Sequence, residues 1–197
     1  MMNRKDKLVI LVNGLPRSGK DTFADYLVDK YNFTKMSFAE DLKNILCRTF
    51  DITYEELDLY KNNPDNYSLE LKHYPDGVVQ NILYTDFRKI LQRFATEGMK
   101  TAFGNGVWAD LVYKRILESD SKLIVIPDFR FLSEYQIHFG LKIKTVLIRD
   151  DRDLPLDGHT SDVELYKNNF EFDYEIYNDK TDNYFYTIDT IKEYLCK

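Results

Sequence analysis

The stretch Leu8–Thr22, LVILVNGLPRSGKDT, runs from an unbroken apolar segment into a loop framed by two glycines and then into the helical pattern FADYLVDKY. Leu8-Val9-Ile10-Leu11-Val12 has the length and branching of a strand buried on both faces. Gly14 to Lys20 fit G-x-x-x-x-G-K, whose backbone N–H groups cradle phosphates while the lysine reaches the β- and γ-phosphates. The strand before and the helix after supply the context this pattern needs. Loop amides and a helix N-terminus converge there on one anion site. Gly14, Arg17, Ser18, Gly19, Lys20, Asp21 and Thr22 are therefore expected to bind ATP or another nucleoside triphosphate, with Lys20 catalytic and Arg17 a second phosphate donor. The plainer reading is a glycine-rich strand–helix turn with a surface lysine.

The residue after Lys20 departs from the usual Ser or Thr, whose hydroxyl binds Mg²⁺. Asp21 stands there, followed by Thr22. A carboxylate suits a hard cation such as Mg²⁺, directly or through water. An acidic residue at a helix N-terminus is the alternative.

Working outward, 197 residues suffice for one well-buried domain spanning 1–197. A composition of 44% hydrophobic and 30% charged residues indicates a globular chain. The net charge of −6 argues against general nucleic-acid binding, though not against a small basic site. Cys47 and Cys196 lack metal spacing and read as free thiols in a reducing cytoplasm. No apolar run reaches membrane-spanning length, and MMNRKDK lacks the apolar core of a signal peptide, so a cytoplasmic protein is expected.

Strand signals fall at Lys7–Asn13, Thr34–Met36, Lys122–Pro127, Lys142–Arg149 and Phe172–Asn178. Helical patterns lie at Lys20–Tyr31, Ala39–Phe50, Asp86–Phe103, Val107–Ser119, Ser161–Asn169 and Tyr184–Leu195. Apolar strands alternating with helices imply an α/β chain: a three-layer α/β/α sandwich on a mostly parallel five-stranded sheet, the P-loop NTPase architecture. Segment 51–85 is polar, carries a possible hairpin around Pro75-Asp76-Gly77, and reads as an insertion or flap; 150–161 reads as a lid-like loop. Ligands of such sheets sit outside the carboxyl ends of the strands. That rule selects Gly14–Thr22, Asp128-Phe129-Arg130, Arg149–His159 and Asn178-Asp179.

Asp128, directly after a buried strand, suits Mg²⁺ or activation of a nucleophile, or alternatively caps the following helix. Arg130 could clamp a phosphate, with Glu134 one helical turn away holding it. On the helix DFRKILQRFATEGMKTAFG, Phe87, Ile90, Leu91 and Phe94 form an apolar stripe, and Arg88, Gln92 and Thr96 a polar one. The polar stripe is either a solvated face or a cleft wall with Arg88 on a phosphate and Gln92 on a base edge. Trp108, the single tryptophan, either packs or stacks on a base. Arg149 and Arg152 are spaced to swing over transferring phosphates and exclude water. Ser161 and Glu164 have the spacing of a capping box. His159 is open between a surface residue and a phosphate donor, and His73 and His138 show no metal spacing with it.

Together these motifs resemble the deoxynucleoside monophosphate kinases encoded by tailed bacteriophages, within the wider P-loop nucleoside monophosphate kinase group. The elements carrying the resemblance are RSGKDT at Arg17–Thr22, SFAEDLK at Ser37–Lys43, LQRFATEGMK with Trp108–Asp110, DFRFLSE at Asp128–Glu134, HTSD at His159–Asp162, and YND at Tyr177–Asp179. They span nearly the whole chain, with 51–85 the least matched. The resemblance implies Mg²⁺-dependent transfer of the γ-phosphoryl group of ATP to a deoxynucleoside 5′-monophosphate (dNMP). It implies Asn178 near the donor base, while the needs of phosphoryl transfer put Asp21 and Asp128 at the metal and make Lys20, Asp128, Arg130, Arg149 and Arg152 the expected catalytic residues. It also implies acceptor contacts from Ser37, Lys43, Arg88, Gln92, Trp108 and Arg130, and a homodimer. Asp162 stands where the family more often has Glu, and Ala95 where it has Gly. A P-loop kinase with another acceptor (a nucleoside, a phosphorylated metabolite or a modified DNA base) and a nucleotide-binding regulatory module remain alternatives.

Overall fold

In a computed structural model, the described residues are 6–63, 69–73, 80–84, 87–136, 140–152 and 160–196. The chain folds as two compact units, one formed by Met1–Phe38 with Trp108–Lys197 and the other by Ala39–Val107.

The first unit is built on five parallel strands: β1 (Leu8–Gly14), β2 (Thr34–Lys35), β5 (Leu123–Ile126), β6 (Lys142–Arg149) and β7 (Tyr174–Tyr177). They form one sheet in the order β2-β5-β1-β6-β7. β1 is central, pairing Leu8 with Leu123 and Lys142, and Gly14 with Ile148. That position explains its continuous apolar run, since a central parallel strand is covered on both faces.

Alternate β1 residues feed two cores. Leu8, Ile10 and Val12 pack with Phe23, Ala24 and Leu27 of α1 (Lys20–Tyr31) and with Tyr184, Ile188 and Leu195 of α9 (Asp182–Leu195). Val9 and Leu11 pack instead with Ala109, Val112 and Ile116 of α6 (Val107–Glu118) and Leu165 of α8 (Thr160–Lys167). The first unit is thus the three-layer α/β/α sandwich expected from the sequence. At the end of the sheet remote from the phosphate loop, the buried Lys7 ammonium donates to the Ser119 and Ser121 carbonyls (2.9 Å to Ser121). A cation there complements the C-terminal end of α6.

The second unit contains α2 (Glu40–Phe50), α3 (Tyr54–Asn62), an antiparallel pair β3 (Leu69–His73) and β4 (Gln80–Tyr84), and α4 (Phe87–Arg93). A π-helical segment, Phe94–Lys100, and the short α5 (Thr101–Phe103) follow. Cys47, Leu57 and Phe87 form its buried cluster, with the Phe87 ring stacked on Tyr60 at 4.9 Å. The 51–85 stretch, expected as a flap, carries α3 and the strand pair; the turn at Pro75–Gly77 lies outside the described residues. α3 starts on a capping box, Thr53 Oγ1 accepting from Glu56 N–H at 3.1 Å and Glu56 Oε2 from Thr53 N–H at 2.7 Å.

Two expectations are corrected. The helix Asp86–Phe103 is not α-helical throughout: it changes to π geometry at Phe94. A π turn bonds i to i+5 and is wider, so a four-residue spacing no longer keeps Thr96 on the face of Arg88 and Gln92. Ser161 lies inside α8, which starts at Thr160. Glu164 accepts from Leu132 N–H at 3.0 Å, across to the start of α7 (Leu132–Tyr135).

On the outer surface, Asp189 of α9 ties to α1. Its carboxylate accepts from Tyr26 at 2.9 Å, Tyr31 at 2.7 Å and Lys30 at 2.7 Å. Partial burial pushes its pKa up, but the hydrogen bonds from Lys30, Tyr31 and Tyr26 outweigh this and hold it below the usual carboxylate range. A lowered folded-state pKa stabilises above the unfolded value, and the gain is lost as pH falls through the folded one. Asp189→Asn should therefore lower the unfolding midpoint at about pH 7, and the difference should shrink as pH falls below about 4, a comparison read by thermal scans over that range.

Candidate active site

The carboxyl ends of β1, β5, β6 and β7 bring four segments together. Gly14 ends β1 at φ 153° because nothing larger fits: a Cβ there would lie 2.5 Å from the Ile148 carbonyl and 2.6 Å from Ser18 Oγ. The chain then turns, with Ser18 N–H donating to Leu15 O at 3.1 Å and Arg17 in the left-handed region at φ 63°. Gly19 caps α1 at φ 104° with no side-chain cap bond. A helix N-terminus without a side-chain cap directs its first N–H groups to a ligand. Lys20 Nζ folds back across the loop to Leu15 O at 2.7 Å. Ser18 is buried against Gly14, and its Oγ has no partner among the described residues. Thr22 is exposed.

The loop is held from behind. Asn178, just after β7, donates from Nδ2 to Ser18 O at 2.8 Å, and Tyr184 Oη donates to Gly19 O at 3.1 Å. Burial raises the Tyr184 pKa well above the ordinary phenol value, so it is a donor at any working pH.

Asp128 follows β5. Its Oδ2 accepts from Ser37 Oγ at 2.7 Å and its Oδ1 from Phe38 N–H at 3.0 Å, and Arg115 Nη2 donates to Ser37 O at 2.8 Å. Ser37 and Asp128, singled out separately in the sequence, are thus hydrogen-bonded to each other. The carboxylate at the start of α7 belongs to Glu134, whose Oε2 accepts from Arg130 N–H at 2.7 Å and Phe131 N–H at 3.0 Å. Glu134 therefore shapes the turn that presents Arg130 through the backbone as well as by proximity.

Of the two arginines at the end of β6 and just beyond it, Arg152 reaches the phosphate loop, donating from Nη2 to Pro16 O at 2.9 Å. It also binds Asp150, and those hydrogen bonds hold the Asp150 carboxyl below its usual range. Arg149 instead pairs with Glu175 on the neighbouring strand, Nε to Oε2 at 2.7 Å. Asp21 is 77% exposed and lies 3.1 Å from Lys35, which also holds Asp25 at 2.8 Å. Trp108 is only 6% exposed, the packed arrangement. In the second unit, Lys43 lies 3.7 Å from Asp58, Arg88 is exposed and Gln92 half-buried. His159, His73 and His138 have no side chain among those described.

Sequence reasoning missed Asn13, Tyr166 and Tyr184. Asn13, buried just before Gly14, donates from Nδ2 to Phe129 O at 2.6 Å and accepts at Oδ1 from Tyr166 Oη. It ties the phosphate-loop strand to both the Asp128–Arg130 turn and α8. A polar residue closing an apolar strand was the available signal for Asn13; Tyr184 resembles any core aromatic. Asn13→Ala would strip buried partners from Phe129 O and Tyr166 Oη and should cost about 1–3 kcal/mol, measured by urea unfolding. Tyr166→Phe, which leaves Asn13 bonded to Phe129, should cost less in the same experiment.

The family model for deoxynucleotide monophosphate kinase matches residues 7–70. No curated protein matches the chain in sequence. Among solved structures, dephospho-CoA kinase from Campylobacter jejuni is 16% identical with a TM-score of 0.51, covering 96% of this chain and 98% of that one. A protein from Thermus thermophilus is 14% identical with a TM-score of 0.50, over 96% and 98%. No helix among the described residues is long and apolar enough to cross a membrane. The chain has the P-loop kinase fold, and from β1 through the phosphate loop into the second unit it is similar to deoxynucleotide monophosphate kinases.

Proposed function

We propose that this chain transfers the γ-phosphoryl group of ATP, with Mg²⁺, to a deoxynucleoside 5′-monophosphate, releasing ADP and a diphosphate. The observation that carries the reading is the Gly14–Lys20 cradle, two glycines that admit no side chain beneath a helix start with Lys20 folded across it. The similarity of residues 7–70 to deoxynucleotide monophosphate kinases supports the choice of acceptor.

An oxygen of the acceptor phosphate attacks the γ-phosphorus, the bond to the β,γ-bridging oxygen breaks, and ADP leaves with the electron pair. The acceptor oxygen is already anionic at neutral pH, so neither a covalent enzyme intermediate nor a strong base is needed. Positioning and charge neutralisation carry such transfers. Lys20 and the loop amides hold the donor phosphates. Arg152, anchored at Pro16 O beside the loop, is placed to offset the charge spreading over the transferred group. Arg149 joins it only by leaving Glu175, an exposed pair that costs little to break.

Magnesium takes one or two carboxylates together with phosphate oxygens and waters, and Asp21 and Asp128 are the carboxylates proposed to supply them. Bound there, it would neutralise phosphate charge. Among the described residues no group of three or more His, Cys, Asp or Glu forms a metal cage. For the acceptor, Ser37 and Arg130 flank Asp128 in the first unit. Lys43, Arg88, Gln92 and the homodimer are proposed with the resemblance as support, and the cytoplasmic setting is proposed from the free cysteines Cys47 and Cys196.

Lys20→Ala should lower turnover by at least about a hundredfold while leaving the unfolding midpoint near wild type. Near-normal activity in that variant would overturn the donor assignment. Incubation with ATP·Mg²⁺ and each common nucleoside and deoxynucleoside monophosphate, reading ADP and diphosphate, tests the acceptor. Transfer to none of them sinks the proposal and leaves the other-acceptor and regulatory readings standing.

A further inference from the structure

We propose that Asn178 and Tyr184 are positioning residues that aim the amides of the phosphate loop, and that Asn178 acts on the loop rather than on the donor base. The inference rests on the reading of Gly14–Thr22 as a phosphate cradle. Its physical basis is the planarity of the peptide bond. In a trans peptide the C=O of one residue and the N–H of the next lie in one plane and point in opposite directions. No peptide bond among the described residues is cis. Fixing a carbonyl therefore fixes the following N–H.

Ser18 O is held by Asn178 Nδ2 at 2.8 Å, which turns the Gly19 N–H away from β7. Gly19 O is held by Tyr184 Oη at 3.1 Å and by Phe23 N–H at 2.8 Å, which turns the Lys20 N–H away from α9. Both N–H groups are thereby directed to the opposite side of the loop, the side a phosphate would occupy. The same two bonds draw carbonyl oxygens away from that side, where they would repel an anion. Neither donor is free to drift. Asn178 is pinned by its own N–H to Arg149 O at 2.8 Å, and its Oδ1 accepts from Lys180 N–H at 2.9 Å. Tyr184 is 2% exposed in the core beneath β1.

The packing at Gly19 fits this role. A Cβ on Gly19 would lie 2.3 Å from Asn178 Nδ2 and 3.4 Å from Tyr184 Oη. The second glycine of the motif is favoured here because the Asn178 amide presses against a loop backbone held at φ 104°. With one hydrogen-bonding group of Asn178 on Ser18 O and the other on Lys180 N–H, its amide is committed to backbone at both ends. Those two bonds fix the amide's orientation toward the loop backbone.

The test uses inorganic tripolyphosphate, a probe with phosphates and no base, beside ATP. Binding of each to the full chain is measured by calorimetry for wild type, Asn178→Ala and Tyr184→Phe, with thermal midpoints recorded alongside. Tyr184→Phe keeps the ring in the core and removes only the donor. Loss of each oriented amide should weaken tripolyphosphate and ATP by the same factor, on the order of tenfold, in variants that remain folded. If Asn178→Ala weakens ATP but binds tripolyphosphate as wild type does, Asn178 acts on the base and the proposal is wrong. Unchanged tripolyphosphate affinity in Tyr184→Phe likewise overturns it. Failure of the wild-type chain itself to bind tripolyphosphate overturns the phosphate-loop reading beneath it, an outcome distinct from either variant result.

Discussion

The parallel register of β1 between β5 and β6 is the constraint on which the rest of the first unit depends. Gly14 stands opposite Ile148, so the backbone leaving β1 passes within van der Waals reach of β6 and has no space for a side chain. The same register aligns Leu11 with Ile126, which places Asp128 two residues beyond the sheet beside the loop that leaves β2. Three strand ends therefore deliver a phosphate cradle, a carboxylate and two arginines to one edge. Shifting β1 by one residue would exchange its two cores, since Leu8, Ile10 and Val12 face α1 and α9 while Val9 and Leu11 face α6.

Two kinds of contact hold that edge, and their strengths differ for a physical reason. Asn13, Asn178 and Tyr184 make hydrogen bonds from buried or half-buried positions to backbone carbonyls. Breaking one leaves a polar group with no water to replace its partner, which is expensive. The Asp21–Lys35 and Arg149–Glu175 pairs have exposed cations or carboxylates. Solvent already competes for such charges, so each pair contributes little and exchanges readily. The backbone frame of the site is stiff, whereas the charged groups that would meet phosphates are cheap to redirect. Charge neutralisation in general favours that division, with fixed dipoles set beforehand and side-chain charges able to adjust.

What could be read from the sequence tracks how strongly burial forces a pattern. β1, α1 and β6 were legible to within a residue, because strands covered on both faces and helices with one buried stripe leave a periodic apolar trace. The phosphate loop was legible because only glycine tolerates Gly14 and Gly19. α3 was not, since Tyr54–Asn62 buries a single residue, Leu57, and otherwise carries polar groups. The π segment was invisible for another reason: over Phe94–Lys100 an α and a π turn predict similar spacings, and the choice depends on packing that no local pattern encodes. The buried anchors of the loop fall in a third class. Asn178 was visible as a strand-end residue, but its partner is a carbonyl, and carbonyls carry no sequence signature.

Asp128 illustrates how far a strand-end carboxylate can be shared. The sequence offered it two roles, a metal or nucleophile contact and a helix cap. The hydrogen bonds support a third, since it fastens Ser37 and Phe38 while Glu134 takes the start of α7. These roles do not exclude one another. An ionised carboxylate has about four lone-pair sites, and Ser37 Oγ and Phe38 N–H occupy one on each oxygen. Any charge drawn to Asp128 is then felt directly by Ser37, and through Ser37 O by Arg115. Asp128 thus joins the end of β5 to the segment that follows β2, and through Ser37 to α6.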